Sequence, residues 1–240
     1  MNLLLLTPND HLDGDRWYIN DRRAHHIRTI LGLTPGGQVR AGVLNGDMGH
    51  ATVLADDGQT LQLAFVPQVP PPPPLPLTLV LALPRPKMLR RILIDCSSLG
   101  VKHIVLLNSY KVDKSYWRTP ELGMSLLQEK LRLGLEQAGD TLMPTLLLRD
   151  RFKPFVEDEL PDLSQNSLKI LAHPVNGEPQ HAPRDCRTAT TLAVGPEGGW
   201  TPYETQCFLD AGFTPYSLGQ RILRVETAVP ALIARIMHLP

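Results

Sequence analysis

Residues 192–199 read Leu-Ala-Val-Gly-Pro-Glu-Gly-Gly, and residues 218–228 read Leu-Gly-Gln-Arg-Ile-Leu-Arg-Val-Glu-Thr-Ala. An apolar run that stops in Gly-Pro-x-Gly-Gly predicts a buried strand followed by a loop without side-chain bulk. A flat ligand can lie directly against the backbone amides and carbonyls of such a loop. The second segment repeats the arrangement and adds two arginines, Arg221 and Arg224.

The rest of the C-terminal part of the chain predicts an α/β fold. Apolar strands and helices alternate, with strands predicted at 77–83, 103–107, 168–173, 191–194 and 213–217, and helices at 88–99, 126–138, 202–211 and 227–239. This alternation indicates a parallel sheet that is covered on both faces. Ligands of such sheets bind at the carboxyl ends of the strands, where both glycine-containing segments fall.

Three helices carry information about their ends or faces. Thr201, Pro202 and Glu204 supply a capping hydroxyl, a proline at the first helical position and a glutamate three residues after the cap. Pro230 is predicted in the first turn of the last helix, where its missing amide hydrogen costs no hydrogen bond. A helix starting near Asp21 is predicted to turn four apolar side chains inward: Ala24, Ile27, Ile30 and Leu31.

A proline-rich segment at 69–76 divides the chain, because its fixed φ angles favour an extended rod and exclude a helix or a central strand. Before it, residues 1–68 contain short segments of alternating apolar character at 38–45, 50–54 and 60–66. Asn-Gly and Asp-Gly turns separate these segments. The spacing predicts a small β-barrel.

Composition argues against several classes of protein. The 240 residues include 24 Lys and Arg and 24 Asp and Glu, which is not the balance of a protein held to nucleic acid by its overall charge. Between Arg85 and Arg118, eight basic residues stand against two acidic ones, either as a solvated face or as a surface that contacts phosphates. The three cysteines form no Cys-x-x-Cys pair, which argues against zinc and disulfides. No apolar run approaches the roughly 18 residues of a membrane span, so we expect a cytoplasmic protein.

Together the two glycine-containing segments resemble the motifs of the SPOUT RNA methyltransferases, most closely the RsmE-type family that methylates N3 of a uridine in 16S ribosomal RNA. The match is strongest over 192–228, and weaker similarity extends along the whole chain. The resemblance implies a trefoil-knotted α/β domain at 77–240 that binds S-adenosylmethionine (SAM) and needs no metal. It further implies a PUA-like RNA-binding barrel at 1–68, rRNA of the small ribosomal subunit as partner, and a homodimer.

The cofactor assignment follows the resemblance and the chemistry of SAM. The first segment is not a phosphate cradle, because no Lys-Ser or Lys-Thr follows it and the Gly-x-Gly-x-x-Gly spacing is absent. Backbone groups and apolar side chains suit adenine instead. The predicted cofactor-binding residues are His173, Val194, Gly195, Pro196, Glu197, Gly198, Gly199, Leu218, Gly219, Ile222, Leu223, Thr227 and Ala228. The alternative is that these glycines only make tight turns.

The catalytic assignment rests on the charge that develops during methyl transfer. Loss of the N3 proton leaves a uracil anion. An arginine can stabilise this anion, but it cannot be the base that removes the proton, because guanidinium stays protonated. We assign this role to Arg224, with Arg221 as the second choice. Glu197 is the candidate to accept the proton or to hold the sulfonium. The alternative is that Glu197 and Glu226 cap helix N-termini.

The residues predicted to contact RNA are basic: His25, His26, Arg28, Arg85, Lys87, Lys111, Lys114 and Arg118. For the two histidines the alternative is that they are ordinary polar residues on a surface helix.

Asp140 stands where the family commonly has an arginine, which predicts a reversed charge on an RNA-facing surface. Two rival functions therefore remain open: a non-catalytic RNA-binding or ribosome-assembly factor on the same fold, and a methyltransferase for another RNA base. The last helix either packs only on the sheet or also contacts a second subunit.

Overall fold

The computed structural model describes residues 1–173 and 188–237, which form two compact units. The first unit contains residues 1–73 and 132–143. The second contains residues 74–131 and the described chain from residue 144 onward. Residues 238 and 239, the end of the predicted last helix, lie outside the described residues.

The first unit is built on a mixed sheet of six strands that curls into a half-barrel. The strands are β1 (Leu4–Leu6), β2 (His11–Asp13), β3 (Arg16–Ile19), β4 (Gln38–Val43), β5 (Met48–Asp56) and β6 (Leu61–Val69). Their order is β1-β4-β5-β6-β3-β2, with β1 parallel to β4 and the other pairs antiparallel. Helix α1 (Arg22–Thr29) follows β3. The predicted barrel is therefore present as an open, curled sheet.

Helix α1 buries a shorter face than the sequence predicts. Ala24 and Ile27 are buried as expected, but Ile30 is 69% exposed and Leu31 is exposed as well. The prediction was wrong for these two residues because the helix ends at Thr29. Beyond that residue the helical period no longer decides which way a side chain points.

An arginine that the sequence analysis did not single out, Arg23, holds α1 to the segment that contains Leu5 and Asp10. The Arg23 guanidinium is buried and donates hydrogen bonds to both carboxylate oxygens of Asp10, each at 2.7 Å, and to the Leu5 carbonyl at 2.7 Å. Its Nε also donates to Asp21, the N-cap of the helix. Burial alone would raise the pKa of Asp21, but the hydrogen bonds from Arg23 outweigh burial and hold that pKa below its ordinary value.

Residues 132–143 join the first unit although the second unit precedes and follows them in the chain. Leu135 packs against Leu3 and Leu5 of the first unit. Glu136 is buried and accepts two hydrogen bonds from the Arg22 guanidinium, at 2.6 and 2.9 Å. The chain therefore contributes a core leucine and a paired carboxylate to the N-terminal unit from a distant segment.

Asp140 does not face solvent. Its side chain is buried, with the residue 3% exposed, and it accepts a hydrogen bond from the Leu142 N–H at 2.9 Å. The prediction of a reversed charge on an RNA-facing surface at this position is therefore wrong. The carboxylate stabilises the turn that follows the helix at Met124–Ala138.

The second unit contains a sheet of six parallel strands. In chain order they are β7 (Leu75–Ala82), β8 (Val101–Leu107), β9 (Thr145–Arg149), β10 (Leu168–Ala172), β11 (Thr190–Val194) and β12 (Thr214–Tyr216). Every pair is parallel, in the order β12-β10-β11-β7-β8-β9. The α/β prediction is confirmed. Strand β9, at one edge, was not predicted from the sequence.

Among the described residues, five helical segments longer than one turn accompany this sheet, together with short 3₁₀ helices at Tyr116–Arg118 and Pro120–Leu122. The five longer segments are α2 (Pro86–Ser98), α3 (Met124–Ala138), α4 (residues 152–163, with a π-helical turn at Phe155–Glu159), α5 (Pro202–Asp210) and α6 (Val225–Ile236). From residue 132 onward α3 belongs to the first unit. Because β10, β11 and β12 are adjacent and parallel, the loops that leave their carboxyl ends lie at the same edge of the sheet.

Two boundaries differ from the sequence prediction. Helix α6 begins at Val225, so Pro230 lies inside the helix, and its predicted place in the first turn is wrong. The proline therefore removes an N–H that would otherwise bond to the carbonyl of Glu226. The strands also extend into both ends of the proline-rich segment, because β6 ends at Val69 and β7 begins at Leu75.

Candidate active site

A cavity of about 470 Å³ opens at the carboxyl ends of β10, β11 and β12. Two loops supply most of its wall: the first glycine loop, residues 195–199 after β11, and the second glycine loop, residues 217–224 after β12. Ala172 and His173 contribute from the end of β10, and Ala228 and Leu232 from α6. The two segments that the sequence singled out thus line one cavity.

An aromatic cluster supports the first glycine loop from below. Trp200 is 4% exposed and lies against Gly195, so that a Cβ on that glycine would stand only 3.2–3.3 Å from three atoms of the indole ring. Phe208 and Phe152 pack on the indole, with ring centroids 4.9 and 6.1 Å away. Phe213 extends the cluster through Phe208. A Cβ at position 195 would therefore force the loop or the indole to shift by a few tenths of an ångström.

Two other strand-end loops hold the first glycine loop from its sides. The Lys111 ammonium, on the loop after β8, donates to the Gly198 carbonyl at 2.7 Å, and the lysine stem packs over the same glycine. The backbone N–H of Arg85, the N-cap of α2, donates to Oε1 of Glu197 at 3.1 Å. Glu197 therefore caps the start of a helix, as the alternative interpretation of this residue expects.

The end of the first glycine loop is fixed by a buried carboxylate. Glu204 is 2% exposed, and its Oε2 accepts hydrogen bonds from the N–H and the hydroxyl of Thr201, both at 2.8 Å. The Thr201 hydroxyl in turn accepts from the Glu204 N–H, so the predicted capping of α5 is confirmed. Oε1 of Glu204 accepts from the Tyr110 N–H at 2.8 Å, which ties the loop after β8 to the same helix start.

The second glycine loop is held more lightly and presents its side chains to solvent. The Ser217 hydroxyl donates to the Gly219 carbonyl and accepts from the Gly219 N–H. Arg221, Ile222 and Arg224 are exposed. Within the described residues neither guanidinium has a hydrogen-bond or ion-pair partner. Both are thus available to a ligand, and Arg224 also serves as the N-cap of α6.

Most predicted cofactor-binding residues line the cavity, and so do Arg221, Arg224 and Glu197. Thr227 does not, although Val225 and Ala228 in the same first turn of α6 do; the Thr227 N–H donates to the Arg224 carbonyl. Seven further lining residues were not anticipated from the sequence: Ala172, Trp200, Tyr216, Ser217, Gln220, Val225 and Leu232. Adjacency in the chain to the two segments would have pointed to Trp200, Ser217 and Gln220, whereas only the fold brings in Leu232.

The basic residues predicted to contact RNA fall in both units. In the first unit, His25 is exposed and His26 half-buried on α1, while Arg28 is engaged by Asp56 at 2.7–3.0 Å. Hydrogen bonds from Arg28 and from the Gly58 N–H hold the pKa of Asp56 below its ordinary value. The residues of the second unit are all exposed: Arg85, Lys87, Lys111, Lys114 and Arg118. Of these, Arg85 and Lys111 contact the first glycine loop.

No cysteine is among the described residues that line the cavity. Burial raises the pKa of the Cys96 thiol far above its usual range, so this cysteine stays protonated in the core. Across residues 1–173 and 188–237, no group of three or more His, Cys, Asp or Glu side chains is placed to hold a metal ion. In the same residues, every helix is too short or too polar to cross a bilayer.

Comparison with known proteins gives consistent matches. The model of a family described as RNA methyltransferase domain matches residues 71–237. Ribosomal RNA small subunit methyltransferase E of Treponema pallidum is 31% identical over 99% of this chain and 91% of its own length. Ribosomal RNA small subunit methyltransferase E 1 of Borreliella burgdorferi is 26% identical over 96% of this chain and 95% of its own length. A crystal structure of the Neisseria gonorrhoeae methyltransferase E, bound to S-adenosyl methionine, shares the fold, with TM-score 0.78, 22% identity and 97% and 95% coverage of the two chains.

Proposed function

This chain belongs to the RNA methyltransferase family, in the branch of the small-subunit rRNA methyltransferases E, and we propose that it methylates N3 of a uridine in 16S rRNA with SAM as donor. The observation that carries the proposal is the single cavity formed by the two glycine loops. The family membership agrees with the resemblance drawn from those same segments.

The cavity suits SAM in size and in chemistry. Its volume of about 470 Å³ lies in the range of small-molecule sites. Gly199 and Gly219 both have positive φ, and a Cβ on either would meet nothing within 4 Å, so their backbone is open to a ligand. Nδ1 of His173, at the cavity wall, is buried without a hydrogen-bond partner among the described residues. A ligand that brings polar atoms to this wall would satisfy it.

We assign the chemistry to residues of the cavity rim. Bound SAM supplies an electrophilic methyl group on a positive sulfonium. Arg224, with Arg221 as the second choice, stabilises the negative charge that uracil gains when N3 loses its proton. Glu197 has one carboxylate oxygen on the Arg85 N–H, which leaves Oε2 to accept that proton or to face the sulfonium. Because the nucleophile must approach in line, positioning supplies most of the rate.

We further propose a division of labour along the chain. Residues 1–68 dock RNA through His25, His26 and Arg28, residues 69–76 connect, and residues 77–240 bind SAM and catalyse transfer. The enzyme works as a homodimer in the cytoplasm, where ribosomal subunits are found. The buried position of Asp140 removes the argument for a divergent target, because that charge change lies away from solvent.

Nucleoside mass spectrometry of 16S rRNA from cells that lack the gene tests the proposed product. We expect 3-methyluridine to disappear and to return when the gene is restored. An unchanged content of methylated uridine would contradict the uridine target, and the loss of another modified base would favour a different substrate. Calorimetry with SAM addresses the non-catalytic alternative, since a scaffold that only binds RNA need not bind the donor.

Purified variants test the assigned residues. On small subunits from the deletion strain, Arg224→Ala should lower the methylation rate about 100- to 1,000-fold, the usual effect of removing one group that stabilises a developing anion. Arg235→Ala is the matched control, because Arg235 is an exposed arginine of α6 that does not line the cavity. If both Arg224→Ala and Glu197→Ala retained the full rate, the assigned chemistry would be wrong.

A further inference from the structure

Tyr110 is an aromatic side chain held out into solvent beside the cavity. It is 86% exposed, more than any other large hydrophobic residue of the described chain except Ile222. Ser109 and Val112 are buried, whereas Tyr110 and Lys111, which lie between them, are exposed. An aromatic ring of this size normally gains stability by burial. Tyr110 gains little of that stability, and its ring is free to contact a ligand.

The backbone that carries Tyr110 is fixed. Its N–H is bound by the buried Glu204 carboxylate at 2.8 Å, and the next residue, Lys111, is bound through its ammonium to the Gly198 carbonyl at 2.7 Å. Since Gly198 lines the cavity, these two contacts hold the tyrosine at the cavity rim. A side chain on a backbone restrained in this way can bind a partner with little further loss of conformational entropy.

The surroundings of Tyr110 select a polyanion. Lys111, Lys114 and Arg118 follow it on the same loop and are all exposed, and the acidic residue among them, Asp113, accepts a hydrogen bond from the Ser115 N–H. Basic side chains interleaved with an exposed aromatic ring are the pattern of surfaces that bind single-stranded nucleic acid. A second protein surface of apolar character would have to bury these cations, which is costly without partners.

We propose that Tyr110 is a stacking platform for an unpaired nucleobase of the RNA substrate, next to the base that enters the cavity. This inference rests on the proposed function, because it takes the RNA to be the molecule methylated at this cavity. Lys111, Lys114 and Arg118 neutralise the phosphates on either side of the stacked base. The site recognises a locally unpaired strand rather than a duplex, since only an unstacked base offers a free face.

Kinetics of three matched variants test the platform. Stacking of one base on an aromatic ring corresponds to about 5- to 150-fold in affinity. Tyr110→Ala should therefore raise KM for small subunits by about this factor, while Tyr110→Phe, which keeps the ring, should remain within about twofold of the wild type. The Kd for SAM should be the same in Tyr110→Ala, Tyr110→Phe and the wild type. Tyr203→Ala is the control, because Tyr203 is an exposed tyrosine of α5 that does not line the cavity.

A spectroscopic measurement separates stacking from other roles and does not require turnover. The chain already contains Trp17, Trp117 and Trp200, so the wild type is the reference for this measurement. In Tyr110→Trp, an oligouridylate should quench tryptophan fluorescence beyond any quenching seen in the wild type, and an abasic oligomer of the same length should not. Equal quenching by both oligomers, or an unchanged KM in Tyr110→Ala, would overturn the inference. A change in sedimentation of Tyr110→Ala would also overturn it, by showing that a second copy covers this residue. If the wild type failed to bind SAM or to methylate while base-dependent quenching persisted, the proposed function would fail and the platform would stand.

Discussion

Replacement of Gly195 by alanine should weaken binding of SAM because the added methyl group meets a support that cannot yield. The new Cβ would lie 3.2 Å from Nε1 and 3.3 Å from Cδ1 and Cε2 of Trp200. Carbon atoms in good contact stand about 3.5–4.0 Å apart, so the overlap amounts to a few tenths of an ångström against three atoms at once. Trp200 is 4% exposed and packed by Phe208, so the loop rather than the indole must move.

Overpacking of this kind costs about 1–3 kcal/mol. If the first glycine loop can bind the cofactor only in its present conformation, the same free energy is subtracted from binding. Each 1.4 kcal/mol is a factor of ten, so the Kd for SAM should rise about 5- to 150-fold. Titration calorimetry measures that Kd directly, and thermal unfolding followed by circular dichroism shows whether the variant is folded at the temperature of the titration.

A second substitution provides the control for Gly195→Ala. In a Trp200→Phe background the added methyl group meets a smaller ring, so the penalty for Gly195→Ala should shrink towards that of an unstrained site. The coupling between the two substitutions isolates the contact from other effects of each change. Wild-type affinity for SAM in the Gly195→Ala single variant would refute the argument, as would an equal penalty in both backgrounds.

Three further predictions concern stability and reactivity. Glu204→Gln should destabilise the protein by about 1–3 kcal/mol, because its amide group would face donors that now share a buried carboxylate; an unchanged denaturant midpoint would contradict this. Because the pKa of Asp21 is lowered in the folded protein, its carboxylate stabilises the first unit at pH values above the ordinary aspartate pKa, and this stabilisation is lost as the pH falls through the lowered pKa. Asp21→Asn should therefore make the free energy of unfolding less dependent on pH in the acid range. The same acid dependence in variant and wild type would count against the assigned hydrogen bonds. In a Cys186→Ser background an alkylating reagent should label Cys207 well before Cys96, which is fully buried, and peptide mass spectrometry would reveal the opposite order.

Local sequence patterns were sufficient to predict much of the second unit. Strand β11 is buried at all five positions, which is why its continuous apolar run and terminal glycine could be recognised in the sequence. The start of α5 could be predicted equally well, because its capping residues act within one helical turn: Thr201, Pro202 and Glu204. Because parallel strands deliver their loops to one edge, the position of the cavity followed from the strand assignments.

Long-range contacts could not be predicted from the same patterns. The Tyr110 N–H and the Glu204 carboxylate are 94 residues apart in the chain, and no spacing rule connects them. The return of residues 132–143 to the first unit, which buries Asp140, is likewise invisible to a pattern read along the sequence. A trefoil knot depends on how the chain is threaded, about which strand alternation carries no information, so that expectation came only from the family resemblance.

The two glycine loops differ in how firmly they are held, and we expect the first to act mainly on binding of SAM and the second mainly on the rate of transfer. Trp200 supports the first loop from below, Lys111 and Arg85 hold its sides, and Glu204 fixes its end, so its conformation is set before any ligand arrives. The second loop presents exposed arginines without partners among the described residues. Substitutions that disturb the first loop should therefore act mainly on the Kd for SAM, because they spoil a preformed surface. Substitutions of the arginines should act mainly on the rate, because charge on the RNA base develops only during transfer.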